Sequence, residues 1–139
     1  MLVESGPWRT TVRLAGRVGA SRLMLFVALL RGEKVVYLRL DASYQEPQTI
    51  LKAVLSPHFG VRTRRDRVLG GWQERPGDGK EYALQQALVT DSPTIGALGL
   101  VLPDSFAVDG EPGTVRPTLI RNSLNAYDQC PPVDRQGRR

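Results

Sequence analysis

The segment spanning residues 22–57 carries the clearest pattern of apolar and polar positions in this chain. Residues 23–30 form an uninterrupted apolar run, and residues 33–40 form a second run rich in Val, Tyr and Leu. The connecting loop around Gly32 completes the pattern of a β-hairpin. We predict that both strands are apolar on both faces, which is typical of strands buried inside a large sheet assembly. Such an assembly is larger than we expect 139 residues to complete alone.

The residues after this hairpin predict a link and then a third strand. Residues 41–49 are polar and contain Pro47, which favours a link rather than a strand. Residues 50–55 resume the strand pattern, and Pro57 ends it.

The residues before the hairpin predict another strand. Residues 8–15 alternate with the period of two that a strand requires, and the two glycines within residues 16–21 predict a turn. The residues predicted to share one face of this strand are Trp8, Thr10, Val12 and Leu14.

The second half of the chain alternates between strand and turn signals. Residues 59–68 and 114–120 are predicted strands, and residues 95–102 have the apolar character of a central strand. Residues 70–80 are rich in Gly and Pro and predict a loop. Residues 81–90 have only a weak helical stripe, so helix and strand both stay open there.

These elements predict an all-β fold, an antiparallel β-sandwich. Roughly seven to nine short strands separated by Gly and Pro turns, with at most one helix, are typical of that architecture. We expect residues 1–128 to form a single sandwich domain and residues 129–139 to form a polar, disordered tail.

Composition and charge narrow the function classes. The chain has 41% hydrophobic and 24% charged residues, close to the averages of globular domains. No apolar run approaches the roughly 20 residues that span a bilayer, and no signal peptide is visible, so no membrane partner is expected. The net charge of +5, together with the arginines within residues 62–67, suggests nucleic-acid binding as one function class. Because no basic helix or aromatic-basic interleaving accompanies them, we expect no nucleic-acid partner.

Few residues offer metal or nucleophile chemistry. His58 is the only histidine and Cys130 the only cysteine, so zinc would need an uncommon set of carboxylate ligands. A triad would depend on His58, and no Gly-x-Ser-x-Gly motif marks a nucleophile. The single Cys130 excludes an intrachain disulfide and suits a reducing compartment, so a cytoplasmic location is expected. No calcium-loop spacing surrounds Asp104 and Asp109.

Carboxylates and aromatic rings leave carbohydrate chemistry open. A glycosidase needs two carboxylates roughly 5–10 Å apart, and solvated loop acids are the alternative reading of the acidic residues here. The candidate acidic pairs are Asp41 with Glu46, Glu74 with Asp78, and Glu81 with Asp91. The rings that would suit an apolar sugar face are Tyr37, Tyr44, Trp72 and Tyr127.

A series of motifs in a fixed order resembles the C-terminal β region of glycoside hydrolase family 38, the α-mannosidases. In that family a hairpin leads into an acidic link, a Leu-Leu-Lys-type strand, a Gly-x-x-x-Arg-Pro motif, a glycine-containing apolar strand and a closing Leu-x-Leu-Leu-Arg-Ser-type strand. The corresponding residues here are 41–46, 50–52, 71–76, 96–102 and 118–123.

The resemblance implies a non-catalytic role within a larger enzyme. It implies that the fold is part of a mutarotase-like β-supersandwich, and that zinc and the Asp nucleophile belong to a separate N-terminal α/β domain. No cofactor and no catalytic residue are then expected in this chain, and whether it belongs to an enzyme stays open. The expected partners are carbohydrate and either that catalytic domain or a second copy. Because the family's last strand lies near the sugar pocket, the resemblance makes Arg121, Asn122 and Asn125 candidate sugar contacts. A structural ion pair is the alternative for Arg121.

A second reading is a stand-alone carbohydrate-binding or protein-interaction module. It would use Trp8, Trp72 and the tyrosines.

Overall fold

The structure is a computed structural model that describes residues 1–57, 63–92 and 96–122. Within these ranges the protein is all-β, with antiparallel sheets and no helix, as the sequence predicted. The chain divides into two compact units, Met1–Pro47 and Gln48–Arg139. A single domain over residues 1–128 stays a prediction. His58, Asn125, Tyr127, Cys130 and the predicted tail lie outside the described residues.

The first unit is one four-stranded antiparallel sheet with its strands in sequence order. The strands are β1 (Leu2–Ser5), β2 (Arg9–Val18), β3 (Ser21–Leu30) and β4 (Val36–Ser43). The predicted hairpin is confirmed, because β3 and β4 pair antiparallel from Leu29 opposite Val36 to Arg22 opposite Ser43. Gly19 begins the two-residue turn between β2 and β3 with a φ of 57°, a value that glycine adopts without steric cost.

The second unit contains two four-stranded antiparallel sheets. Its strands are β5 (Thr49–Lys52), β6 (Thr63–Val68), β7 (Gly71–Arg75), β8 (Tyr82–Ala83), β9 (Ala87–Ser92), β10 (Gly96–Val101), β11 (Ala107–Asp109) and β12 (Arg116–Asn122). One sheet has the order β10-β9-β6-β7 and the other β5-β12-β11-β8.

The core of the second unit lies between these two sheets. Leu88 on β9 and Val108 on β11 are fully buried in one cluster with Leu84 and Val115, and Leu100 on β10 packs against it. Because the cluster draws side chains from both sheets, the second unit has the two-layered core of a β-sandwich.

Several element predictions were wrong in detail. The predicted link begins too early, since Asp41 and Ala42 pair with β3. The predicted loop over residues 70–80 contains β7, because one glycine with positive φ, Gly70, is enough for the turn and the next residues pair with β6. The apolar strand β10 is an edge strand rather than a central one, and the described residues hold twelve strands rather than seven to nine. For residues 81–90, where the sequence left helix and strand open, the structure has strands and no helix. No helix in the described ranges has the length and apolarity to cross a bilayer.

Candidate functional site

One face of the first unit's sheet is aliphatic across three neighbouring strands. Because side chains alternate between faces and the register aligns β2, β3 and β4, every second row of cross-strand neighbours shares this face. Its large side chains are Val12, Leu14, Leu23, Leu25, Val27, Leu29, Val36, Leu38 and Leu40. The other positions on the same rows of these strands carry no charged side chain, as in Thr10 and Ala42. We call this surface the aliphatic face.

The aliphatic face is partly open to solvent: four of these nine side chains are exposed and the other five are partly buried. Leu14 and Leu29 are each 52% exposed, Val36 is 58% exposed and Leu38 is 56% exposed. Large contiguous apolar surfaces of this kind mark interaction sites in soluble proteins.

The opposite face of the same sheet is polar on β4 but apolar on β3, where it carries Met24, Phe26, Ala28 and Leu30. On β4 it carries Tyr37, Arg39 and Asp41, which alternate with the aliphatic residues. Arg39 lies over the Phe26 ring at 4.3 Å from the centroid and forms an ion pair with Asp41 at 3.1 Å. The prediction of two strands apolar on both faces was therefore wrong for β4, because only alternate residues of that strand are apolar.

The second unit carries an ion-pair network on the sheet that contains β5 and β12. Lys52 contacts Glu81 at 3.1 Å and also binds Asp109, which in turn binds Arg116. Glu81 additionally accepts hydrogen bonds from the Thr118 hydroxyl and from the Arg121 guanidinium. We call this set the Glu81 network.

The Glu81 network keeps its carboxylates ionised. Burial raises the pKa of Glu81, but hydrogen bonds from Thr118, Lys52 and Arg121 outweigh it and lower that pKa to about 2. Burial likewise opposes ionisation of Asp109, yet the contacts with Lys52 and Arg116 lower its pKa overall. A carboxylate held ionised by such partners is a poor general acid at neutral pH.

The structure separates the candidate sugar contacts. Arg121 forms an ion pair with Glu81, while its own side chain is 48% exposed. Asn122 is the next residue on β12, and successive strand residues point to opposite faces. The two side chains are therefore not brought together, and Asn125 lies outside the described residues. Sugar contact by any of the three stays a prediction.

A second cluster in this unit lies on the buried face of the hairpin formed by β6 and β7. Asp66 is fully buried, and its carboxylate faces two arginines, with Arg64 Nε at 3.0 Å and Arg75 Nε at 3.6 Å. Both guanidiniums also lie over the Tyr82 ring, at 5.9 and 4.8 Å from its centroid. Burial raises the pKa of Asp66, and the two arginines offset part of that rise. We call these residues the arginine cluster.

A small cleft of about 130 Å³ adjoins the arginine cluster. Its polar side chains belong to Thr63, Arg64, Arg75, Glu111 and Thr114, and its other lining residues are Pro76, Gly77, Gly110 and Pro112. Its walls come from the turn after β7 and the turn between β11 and β12, since Gly77 lies against Pro112 and Glu111. The sequence did not indicate this cluster, because Arg75 falls within the predicted loop over residues 70–80. The spacing of Arg64 and Asp66, two residues apart in a strand pattern, was the available signal.

The other candidate residues are dispersed. Asp91 bonds to Thr63 at 3.1 Å and contacts Arg65 at 3.4 Å, whereas its proposed partner Glu81 belongs to the Glu81 network. The Tyr37 hydroxyl donates a hydrogen bond to Glu33 Oε2. Across the described ranges, no group of three His, Cys, Asp or Glu residues is arranged to hold a metal ion.

Known proteins provide no family for this chain. No protein-family model matches it, and a search of curated proteins finds no match. The resemblance to family 38 therefore depends on the order of its sequence motifs, and what it implies for function is a proposal.

Proposed function

We propose that this chain is a non-catalytic β-sandwich region of an α-mannosidase-like glycoside hydrolase. In this role it supports, and in part lines, a sugar site whose zinc-bearing catalytic domain is a separate part of the assembly. The observation that carries the proposal is the aliphatic face, an uncharged sheet surface that requires a covering layer.

The free energy gained by burying the exposed side chains of the aliphatic face favours a covering layer that is part of a larger assembly. Burying one large aliphatic side chain contributes about 1.5–3 kcal/mol, so covering the exposed half of Leu14, Leu29, Val36 and Leu38 contributes roughly 3–6 kcal/mol. Association of two free molecules costs about 4–15 kcal/mol in translational and rotational freedom. These four side chains alone do not hold a free partner tightly, whereas a domain joined to the sheet by further contacts would cover them without that full cost.

The ordered motifs supply the finer part of the proposal. They connect the acidic link, the Gly-x-x-x-Arg-Pro motif at residues 71–76 and the closing strand in the order seen in the α-mannosidases. The Glu81 network fits a supporting role, because its charges bind one another within the second unit.

Two measurements test this proposal. The purified chain should not hydrolyse an aryl α-mannoside, with or without added zinc or cobalt, and turnover that a chelator abolishes would overturn the non-catalytic assignment. The chain should also bind a zinc-containing family 38 catalytic α/β domain, with Leu38→Lys weakening the complex and Met24→Lys on the opposite face leaving it unchanged. No binding, or equal binding by both variants, would contradict the supporting role.

A carbohydrate-binding module is the second candidate. Trp8 is 74% exposed and Trp72 is 54% exposed, so both rings are available to stack on a sugar. A glycan array tests this role directly. Specific binding lost in Trp72→Ala would favour the module, and absence of binding to any glycan would exclude it.

A further inference from the structure

We propose that the cleft beside the arginine cluster is a binding site for a small oxyanion, either inorganic phosphate or a carboxylate group. This site is independent of the aliphatic face and of the family resemblance. Beneath the cleft, two arginines face one aspartate. Arg64, Arg75 and Asp66 together carry two positive charges and one negative charge in a region where Asp66 is fully buried and the Arg64 side chain is 5% exposed.

The geometry leaves the two guanidiniums incompletely satisfied. Arg64 Nη2 donates to Asp66 Oδ2 at 3.2 Å, and Arg75 Nη2 donates to the Ala83 carbonyl at 3.4 Å. Arg64 Nε and Arg75 Nε lie 3.0 and 3.6 Å from the Asp66 carboxylate, yet neither N–H, nor Asp66 Oδ1, makes an aligned hydrogen bond among the described residues. Buried charged donors of this kind are costly unless an acceptor reaches them.

The cleft adjoins both arginine side chains, although their Nε atoms are buried. Arg64 and Arg75 both line it, and the Arg64 guanidinium lies so close to Gly110 that a Cβ there would approach Arg64 Nη1 at 2.9 Å. Planar guanidiniums bind oxyanions through paired N–H donors. Glu111 also lines the cleft, but its carboxylate is engaged by Arg116 Nη2 at 3.0 Å.

The size of the cleft selects the ligand class. Its volume of about 130 Å³ is well below the roughly 300–1,000 Å³ of pockets that enclose drug-sized ligands. A phosphate ion or a single carboxylate group matches this volume and the two guanidiniums beside the cleft, whereas an oligosaccharide exceeds the volume.

The site is tested by titrating the full chain with sodium phosphate and, separately, with sodium acetate, each against sodium chloride at equal ionic strength. Amide chemical shifts of Gly77, Gly110 and Thr114 should move and saturate with at least one oxyanion. The anion that saturates at the lower concentration identifies the preferred chemistry. Shifts that do not saturate, or that are confined to exposed arginines such as Arg65, would overturn the proposal.

A matched pair of variants locates the effect. Arg75→Gln and Arg65→Gln each remove one positive charge, but Arg65 has a half-exposed side chain that contacts Asp91 and does not line the cleft. We expect Arg75→Gln to reduce the apparent affinity at least tenfold and Arg65→Gln to change it less than twofold. Equal losses in both variants would indicate non-specific attraction and overturn the site. The wild-type titration decides the question by itself if Arg75→Gln does not fold.

Discussion

The Glu46 carboxylate accepts a hydrogen bond at 3.0 Å from the hydroxyl of Ser21, which lies 25 residues earlier in the chain. Glu46 Oε1 also accepts from the backbone amides of Ala20 and Ser21, at 2.6 and 3.2 Å. The fully buried Ser21 hydroxyl accepts from the Gln45 amide at 2.9 Å. These hydrogen bonds join the segment after β4 to the turn between β2 and β3, so Glu46 of the predicted link stabilises the end of the first unit.

This contact predicts the effect of a methyl group at Gly19. A Cβ at Gly19 would lie 2.5 Å from Glu46 Oε1, and its φ of 57° is unfavourable for alanine. We expect Gly19→Ala to destabilise the protein by about 1–3 kcal/mol, through backbone strain and displacement of Glu46. Urea denaturation measures the change, and amide hydrogen exchange should show faster opening at Ala20 and Ser21.

The matched control is Gly16→Ala. A Cβ at Gly16 meets no atom within 4 Å and its φ is not positive, so this variant should be neutral or slightly stabilising. A Gly19→Ala protein as stable as the Gly16→Ala protein would contradict the role of the Glu46 contact.

The buried carboxylate of the arginine cluster predicts a larger effect. Asp66→Asn removes the carboxylate that pairs with Arg64 and Arg75, so both guanidiniums lose their ion-pair partner. Breaking a buried ion pair in this way costs about 3–5 kcal/mol. Thermal and urea denaturation should both register the loss.

An exposed ion pair provides the comparison for Asp66. Asp41 pairs with Arg39 on the surface, with side chains 44% and 68% exposed, so Asp41→Asn should cost less than about 1 kcal/mol. Similar losses of stability in Asp66→Asn and Asp41→Asn would mean that the buried Asp66 ion pair contributes no more than the exposed Asp41 pair.

The Glu81 network predicts a loss of stability in acid. The pKa of Glu81 is lowered from its usual 4.5 to about 2 in the folded protein, so the folded state stays ionised where the unfolded state takes up a proton. The stabilisation is complete above about pH 4.5 and disappears as the pH falls toward 2. We expect Glu81 to contribute on the order of 2–3 kcal/mol to this loss.

Urea denaturation between pH 6 and pH 2 measures this dependence, and Glu81→Gln is its control. The variant should be less stable at pH 6 and should lose less stability on acidification, with Asp109, whose pKa is also lowered, accounting for part of the remaining slope. A slope identical to that of the parent protein would rule out Glu81 as its source.

The aliphatic face predicts weak, concentration-dependent self-association when no other cover is present. Leu38→Lys places a charge in the exposed aliphatic surface and should suppress this association, because a charge is costly to bury between two sheets. Light scattering coupled to size-exclusion chromatography, across a series of protein concentrations, measures the oligomeric state.

Met24→Lys is the matched control for this surface. Met24 lies on the other face of the sheet, on β3 opposite Asp41, so its substitution adds the same charge without changing the aliphatic face. A monomer at every concentration tested, unchanged by Leu38→Lys, would mean that the exposed side chains are tolerated in water and make no contact between copies.

The sequence alone determined the all-β class and the central hairpin, because a period of two and glycine-containing turns are local signals. It also identified the alternating β2 strand and the exceptional apolar run of β3. These features depend on residues close together in the chain, so the pattern of single residues was sufficient.

Only the tertiary structure decided which of these residues meet. Glu46 reaches Ser21, and Glu81 joins Lys52 and Arg121, through register and sheet order. Arg75, predicted to lie in a loop, joins Arg64 and Asp66 in the arginine cluster because β7 pairs with β6. The aliphatic face likewise required the register of β2, β3 and β4. Pairing across long sequence separations depends on the whole arrangement of strands, and a local pattern does not contain that information.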